Sequence, residues 1–162
     1  MIPEIGIFAL IVALCFAIMQ GVLPLAGSIF GISSWVRTAK PSAYGQLVFV
    51  LIAYVSLTWS FVTYDFSLLY VAQNSNLSLP LIYRISGVWG GHEGSMLLWM
   101  LILSSWTGAV SIFSRKVPSQ MLARVLGILG LISVGFLLFL LLTSNPFERQ
   151  FPAPLDGYDL NP

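Results

Sequence analysis

A chain of 162 residues that is 57% hydrophobic and only 8% charged lacks the polar surface of a water-soluble domain, which carries roughly 25% charged residues. Seven basic and six acidic side chains give a net charge of +1 with no block of like charge, so nothing points to a nucleic-acid partner. The single cysteine, Cys15, excludes an intrachain disulfide, a two-cysteine redox pair and a CxxCH attachment motif, and reads as a small apolar residue.

The chain opens Met1-Ile2-Pro3-Glu4 without a basic leader, and the apolar stretch behind it is too long for a signal-peptide core. It is expected to stay in the protein as a membrane span. A hydrocarbon core of about 30 Å needs about 20 apolar residues per helix, and four stretches meet that demand: residues 5–30, bent near Pro24, then 44–64, 95–113 and 125–143. The predicted fold is all-α, a polytopic transmembrane bundle of four helices.

Basic residues are unevenly placed. Arg37 and Lys40 fall between the first two spans, and Arg115, Lys116 and Arg124 between the last two. Glu4, Asp65, Arg84, Glu93, Glu148, Arg149, Asp156 and Asp159 fall on the opposite side. The positive-inside rule makes the basic connections cytoplasmic, so both ends of the chain and the connection 65–94 face outward.

That connection is too apolar for a solvated linker, with Phe66, Leu68, Tyr70, Leu81, Tyr83, Val88 and Trp89 among its residues. Asn74-Ser75-Asn76 and Pro80 divide it into two arms, and it reads as a structured cap at the membrane interface. Residues 144–162 are polar and proline-rich, and read as an outward loop cut partway.

The four predicted spans hold no ionisable side chain, which argues against an ion path complete within them. Gln20 is singled out as a polar amide deep in a helix, suited to bonding a neighbouring helix, and Gly27/Gly31 and Ser104/Gly108 as small-residue pairs that let helices approach.

The informative segment is WGGHEGSMLLW, Trp89 to Trp99. Gly90, Gly91 and Gly94 remove side-chain bulk so that a partner, a helix or a flat ligand can come close. Ser95 reads as the N-cap of the third span, and Glu93 lies by the positive end of its dipole. Trp89 and Trp99 suit interface anchors. His92 is the only histidine; it reads as a residue bonded locally in a helix-start turn, or as part of a partner surface, or as a ligand oriented by Glu93. Trp89, His92 and Glu93 are therefore the cofactor-binding candidates. Trp89, Gly90, Gly91, His92, Glu93, Gly94, Ser95 and Trp99 together form the expected partner or packing surface. No catalytic and no metal-ligating residue is assigned.

Trp89–Trp99 resembles the WG-x-HEGS-LLLW stretch of the CcmF/NrfE family of cytochrome c maturation proteins. MIPEIG at the start, YVAQNSN at Tyr70–Asn76, LPLIYRISGVWG behind it, ARVLGILGLISVGFLLFLLLTSNPF (Ala123–Phe147) and the closing GYDLNP are similar as well. The resemblance implies part of a larger membrane bundle in the haem-handling superfamily, with haem as cofactor. It also implies a role in joining haem to the CxxCH thiols of an apocytochrome c on the periplasmic face of a bacterial inner membrane. Implied partners are a haem chaperone, a thiol-handling subunit and the apocytochrome. The family's haem-ligating histidines are expected beyond Pro162, and His92 matches none of them. This stretch is therefore expected to be scaffold, not catalytic by itself, whether as a fragment or as one piece of a split protein. An NrfE-type subunit serving nitrite reductase, a small transporter or respiratory-complex subunit, and an accessory packing subunit remain the alternatives.

Overall fold

The computed structural model describes residues 1–158. Asp159, placed above on the outward face, and most of the closing Gly157–Pro162 motif lie outside the described residues. Seven helices follow one another: α1 (Ile2–Phe30), α2 (Ser33–Val36), α3 (Ala39–Val62), α4 (Leu69–Asn74), α5 (Leu81–Gly87), α6 (His92–Phe113) and α7 (Ser119–Leu142). Among the described residues no strand forms; a single antiparallel bridge joins Leu68 to Arg149. Four helices are long and apolar enough to cross a membrane: α1, α3 (which α2 leads into), α6 and α7.

α1 is the central post, packed along both α3 and α7, while α3 and α7 each pack on α6. Its sequence explains this position. Gly6, Ala9, Ala13, Ala17, Gly21 and Gly27 recur every three to six residues on its buried side, so neighbouring backbones approach closely. A Cβ on Gly130 of α7 would meet the backbone nitrogen of Gly21 at 2.8 Å. Larger apolar side chains, including Leu10, Val50, Leu57, Phe61, Leu97, Met100, Leu137 and Leu140, fill the space between the helices.

Each long helix begins earlier than the hydropathy pattern predicts. Pro3 lies in the first turn of α1 and Pro41 in that of α3, where a missing N–H costs nothing. α6 starts at His92 and α7 at Ser119 rather than at residues 95 and 125. A helix can continue past the apolar stretch into the polar interface, where charged side chains reach water. The four helices therefore do carry charged side chains and a histidine, namely Glu4, Lys40, His92, Glu93 and Arg124, all within two turns of a helix start. Pro24 sits inside an unbroken α1.

The small-residue pairs divide. Gly108 of α6 packs against Leu47 of α3 and Ser104 is fully buried. Of Gly27/Gly31 only Gly27 serves close approach, packing against Trp35 and Val36 of α2. Gly31 ends the helix with φ +72°, its N–H bonded to the carbonyl of Gly27.

The two ends of the bundle differ in charge. At one end α1 finishes, α2 turns the chain and α7 begins, and Arg124 Nε donates to Ser28 Oγ at 2.6 Å. Arg37, Lys40, Arg115 and Lys116 belong to this end. At the other end stand α4, α5, the start of α1 and residues 144–158, with Glu4 paired to Arg149.

Candidate functional site

The connection between α3 and α6 is a two-helix cap built on Tyr70. Its ring lies edge-on to Phe61 at 5.6 Å and is almost wholly buried. The Tyr70 hydroxyl donates to the carbonyl of Val88 and accepts from the N–H of Gly91, both at 3.0 Å. One side chain of α4 thus satisfies backbone groups on both sides of the turn into α6, groups that would be costly if buried unpaired. Burial pushes the Tyr70 pKa up to about 12, against the opposing pull of the hydrogen bond from Gly91. Asn74 Nδ2 donates back to the Tyr70 carbonyl at 2.9 Å. The second arm is tied down by Arg84, which lies 4.0 Å over the Tyr64 ring and donates to the Val62 carbonyl at 2.7 Å. That holds α5 to the end of α3.

The glycines of WGGHEGS serve this arrangement. A Cβ on Gly91 would meet the Tyr70 ring at 2.7 Å, and one on Gly94 would collide with the Val88 carbonyl and reach the Tyr70 hydroxyl. The space that these glycines leave is filled by the chain's own cap. Neither opens a cradle for a flat ligand.

Gly91, not Ser95, is the N-cap of α6. Ser95 lies a turn inside the helix and donates from Oγ to the Trp89 carbonyl at 2.7 Å, while its N–H bonds to Gly91 O. The Trp-to-Trp segment is therefore closed by Tyr70 from one side and Ser95 from the other. Glu93 sits in the first turn of α6, where the helix dipole favours a carboxylate.

His92 is oriented by Ser144, not by Glu93. Its Nδ1 shares a hydrogen bond of 3.1 Å with Ser144 Oγ, and its ring meets Phe139 edge-on at 5.9 Å. It joins the start of α6 to the end of α7 and stays exposed. Among the described residues no three His, Cys, Asp or Glu side chains converge. As the single histidine, with its Nδ1 engaged by Ser144, His92 does not by itself make a haem site. Trp89, at 44% exposure, and Trp99, at 63%, turn their rings outward.

Residues 144–158 are no free loop. Leu69 N–H bonds to Glu148 O and Gln150 N–H to Ser67 O, both at 2.9 Å. Arg149 reaches Glu4, Ser67 and, at 3.8 Å, Asp65. Farther on, Tyr158 N–H donates to Ala72 O, and Asp156 Oδ1 accepts from Leu77 N–H at 2.8 Å. Gly157 lies so close to the Ser75 carbonyl that a Cβ would collide with it.

Sequence reasoning missed Gln46. It is as buried in α3 as Gln20 is in α1, and the same signal, one amide inside an apolar run, marks both. Gln20 Nε2 donates to Leu126 O at 2.7 Å, joining α1 to α7, whereas neither amide atom of Gln46 has a partner among the described residues. It missed the role of Tyr70 as well, which no local pattern announces.

A family model described as Cytochrome C assembly protein matches residues 89–162. The cytochrome c-type biogenesis protein CcmF of Pseudomonas aeruginosa is 58% identical over the whole chain, which covers 25% of that relative. The cytochrome c-type biogenesis protein NrfE of Haemophilus influenzae is 42% identical, again over the whole chain and 26% of the relative. A solved structure of the cytochrome c haem lyase CcmF superposes with a TM-score of 0.86 at 28% identity, over 91% of this chain and 25% of that one. The chain thus spans about a quarter of the length of the curated relatives it matches.

Proposed function

Because this chain belongs to the CcmF/NrfE family of cytochrome c-type biogenesis proteins, we propose that it serves cytochrome c maturation as a scaffold of a membrane haem lyase. On this reading the four helices lie in a bacterial inner membrane, with the basic end cytoplasmic by the positive-inside rule. The cap, both described chain ends and Trp89–Trp99 then face the periplasm. Haem is carried by other parts of the assembled lyase, where this chain's expected partners, a haem chaperone, a thiol-handling subunit and apocytochrome c, also meet.

One observation carries the reading. The segment Trp89–Trp99 is locked from within by Tyr70 and Ser95, while Trp89, His92 and Trp99 remain exposed on the surface. A rigid lead-in that presents aromatic rings and an imidazole edge suits a docking wall. It does not suit a reaction centre. A CcmF-type role is favoured over an NrfE-type one by the identities to the two Haemophilus influenzae relatives, 47% to CcmF against 42% to NrfE.

The test is complementation with the intact protein. Trp89→Ala, His92→Ala and Glu93→Ala are made singly, and holocytochrome c is measured against the amount of lyase in the membrane. Loss of holocytochrome at normal lyase levels is the expected result. Full assembly in all three variants sinks the docking-wall claim.

A further inference from the structure

At the basic end, between the α2–α3 junction and the first turns of α7, lies a groove of about 210 Å³. Its walls are apolar, made by Val36, Ala39, Leu122 and Ala123, and Arg37 and Lys40 stand at its rim. Ala39, Leu122, Ala123 and Leu126 form a small core separate from the main one, so the groove is part of the packed bundle. A second hollow of about 200 Å³ adjoins it, sharing Val36, Arg37 and Ser119 and reaching Gln120 and Ser33 on a more polar lining. Arg37 therefore stands between an apolar slot and a polar hollow.

The charge at this place is unbalanced. Every described acidic residue (Glu4, Asp65, Glu93, Glu148 and Asp156) belongs to the opposite end, and neither Arg37 nor Lys40 makes an ion pair among the described residues. Arg37 and the neighbouring Trp35 are both exposed, and tryptophan at the end of a membrane helix favours the headgroup level. The combination of two unpaired cations, an apolar slot and interfacial depth selects for an amphiphile with an anionic head. A free phosphate would use the cations and leave the slot empty. A zwitterionic lipid would use the slot and gain little from the cations.

We infer that this groove binds one anionic phospholipid, its phosphodiester at Arg37 and Lys40 and one acyl chain along Val36, Leu122 and Ala123. Basic pockets between transmembrane helices are suited to such headgroups. The lipid lies along the seam where the α2–α3 junction packs on the start of α7.

The test uses the intact protein, purified in mild detergent and offered equimolar phosphatidylglycerol and phosphatidylcholine. Retained lipid is counted by native mass spectrometry. The expected result is selective retention of phosphatidylglycerol, reduced about tenfold in Arg37→Gln/Lys40→Gln and kept in Arg115→Gln/Lys116→Gln, which removes the same charge from the same end outside the groove. Val36→Phe, which fills the slot with both cations in place, is expected to lose the lipid as well, and it carries the test if the charge variant does not fold. Equal loss in the two charge variants would reduce the effect to diffuse surface attraction and overturn the site. Displacement of the lipid by equimolar inorganic phosphate would make it a plain anion site. Absence of retained lipid in the wild-type protein would likewise overturn the site.

Discussion

The Tyr70 hydroxyl donates to the Val88 carbonyl at 3.0 Å, and through this bond a cap helix decides where a membrane helix begins. The same oxygen accepts from Gly91 N–H, the N-cap residue of α6. The N–H of Gly91 itself, at the entry to the helix, thus finds its acceptor in a residue 21 positions earlier in the chain.

Tyr70→Phe keeps the ring on Phe61 and removes both bonds. The expected loss is about 1–3 kcal/mol of stability, the cost of leaving buried backbone groups unpaired. Thermal melting in detergent measures it, and hydrogen exchange at the Gly91 amide should accelerate selectively. Unchanged protection at Gly91 would show that the hydroxyl is not the partner that matters.

Gly94→Ala and Gly135→Ala form a matched pair. At Gly94 a Cβ collides with the Val88 carbonyl, so backbone must shift; at Gly135 nothing lies within 4 Å. The first is expected to destabilise by about 1–3 kcal/mol through overpacking. The second should be neutral or gain up to about 1 kcal/mol from helix propensity. Melting temperatures that move in the same direction by the same amount would contradict this packing.

Alkaline titration probes the Tyr70 clamp without mutation. The folded chain holds the Tyr70 proton to about pH 12, while an unfolded tyrosine releases it near pH 10. Stability from this group is thus complete below about pH 10 and falls as the pH rises toward 12, because the unfolded state sheds its proton first. Tyrosinate absorbance should show a late step from Tyr70 near pH 12, together with exposure of the Gly91 amide. Tyr70→Phe should remove that late step.

The two buried amides should respond differently to loss of polarity. Gln20→Leu breaks the 2.7 Å bond to Leu126 O and is expected to cost about 1 kcal/mol. Gln46→Leu removes an amide without a protein partner among the described residues, and should be neutral or stabilising by about 1–3 kcal/mol. Chemical denaturation of the two variants side by side decides it. A large loss at Gln46 would mean that the amide is held by a group outside these residues.

Much of this protein was legible in its sequence because the signals are local. Hydropathy marked four spans, since each helix must bury its own backbone bonds in lipid, and the separation of Arg37, Lys40, Arg115 and Lys116 from the acidic residues marked two unlike ends. The cap was visible as an apolar connection broken at Asn74–Asn76 and Pro80, and the WGGHEGS run stood out by composition. Helix starts were placed too late because hydropathy reports where lipid is needed and says nothing of how far a helix continues into the interface.

What the glycines and His92 do was decided only by tertiary structure. Gly91 and Gly94 could have faced a ligand, and the Tyr70 ring occupies that space instead. His92 could have leaned on Glu93, its neighbour in sequence, but bonds to Ser144, 52 positions away. Residues 144–158 read in the sequence only as a polar, proline-rich outward loop, and it is the tertiary structure that brings Arg149 to Glu4 and Asp65. Side chains distant along the chain meet only after the four helices have set their relative heights and rotations. No periodicity or local composition encodes that meeting.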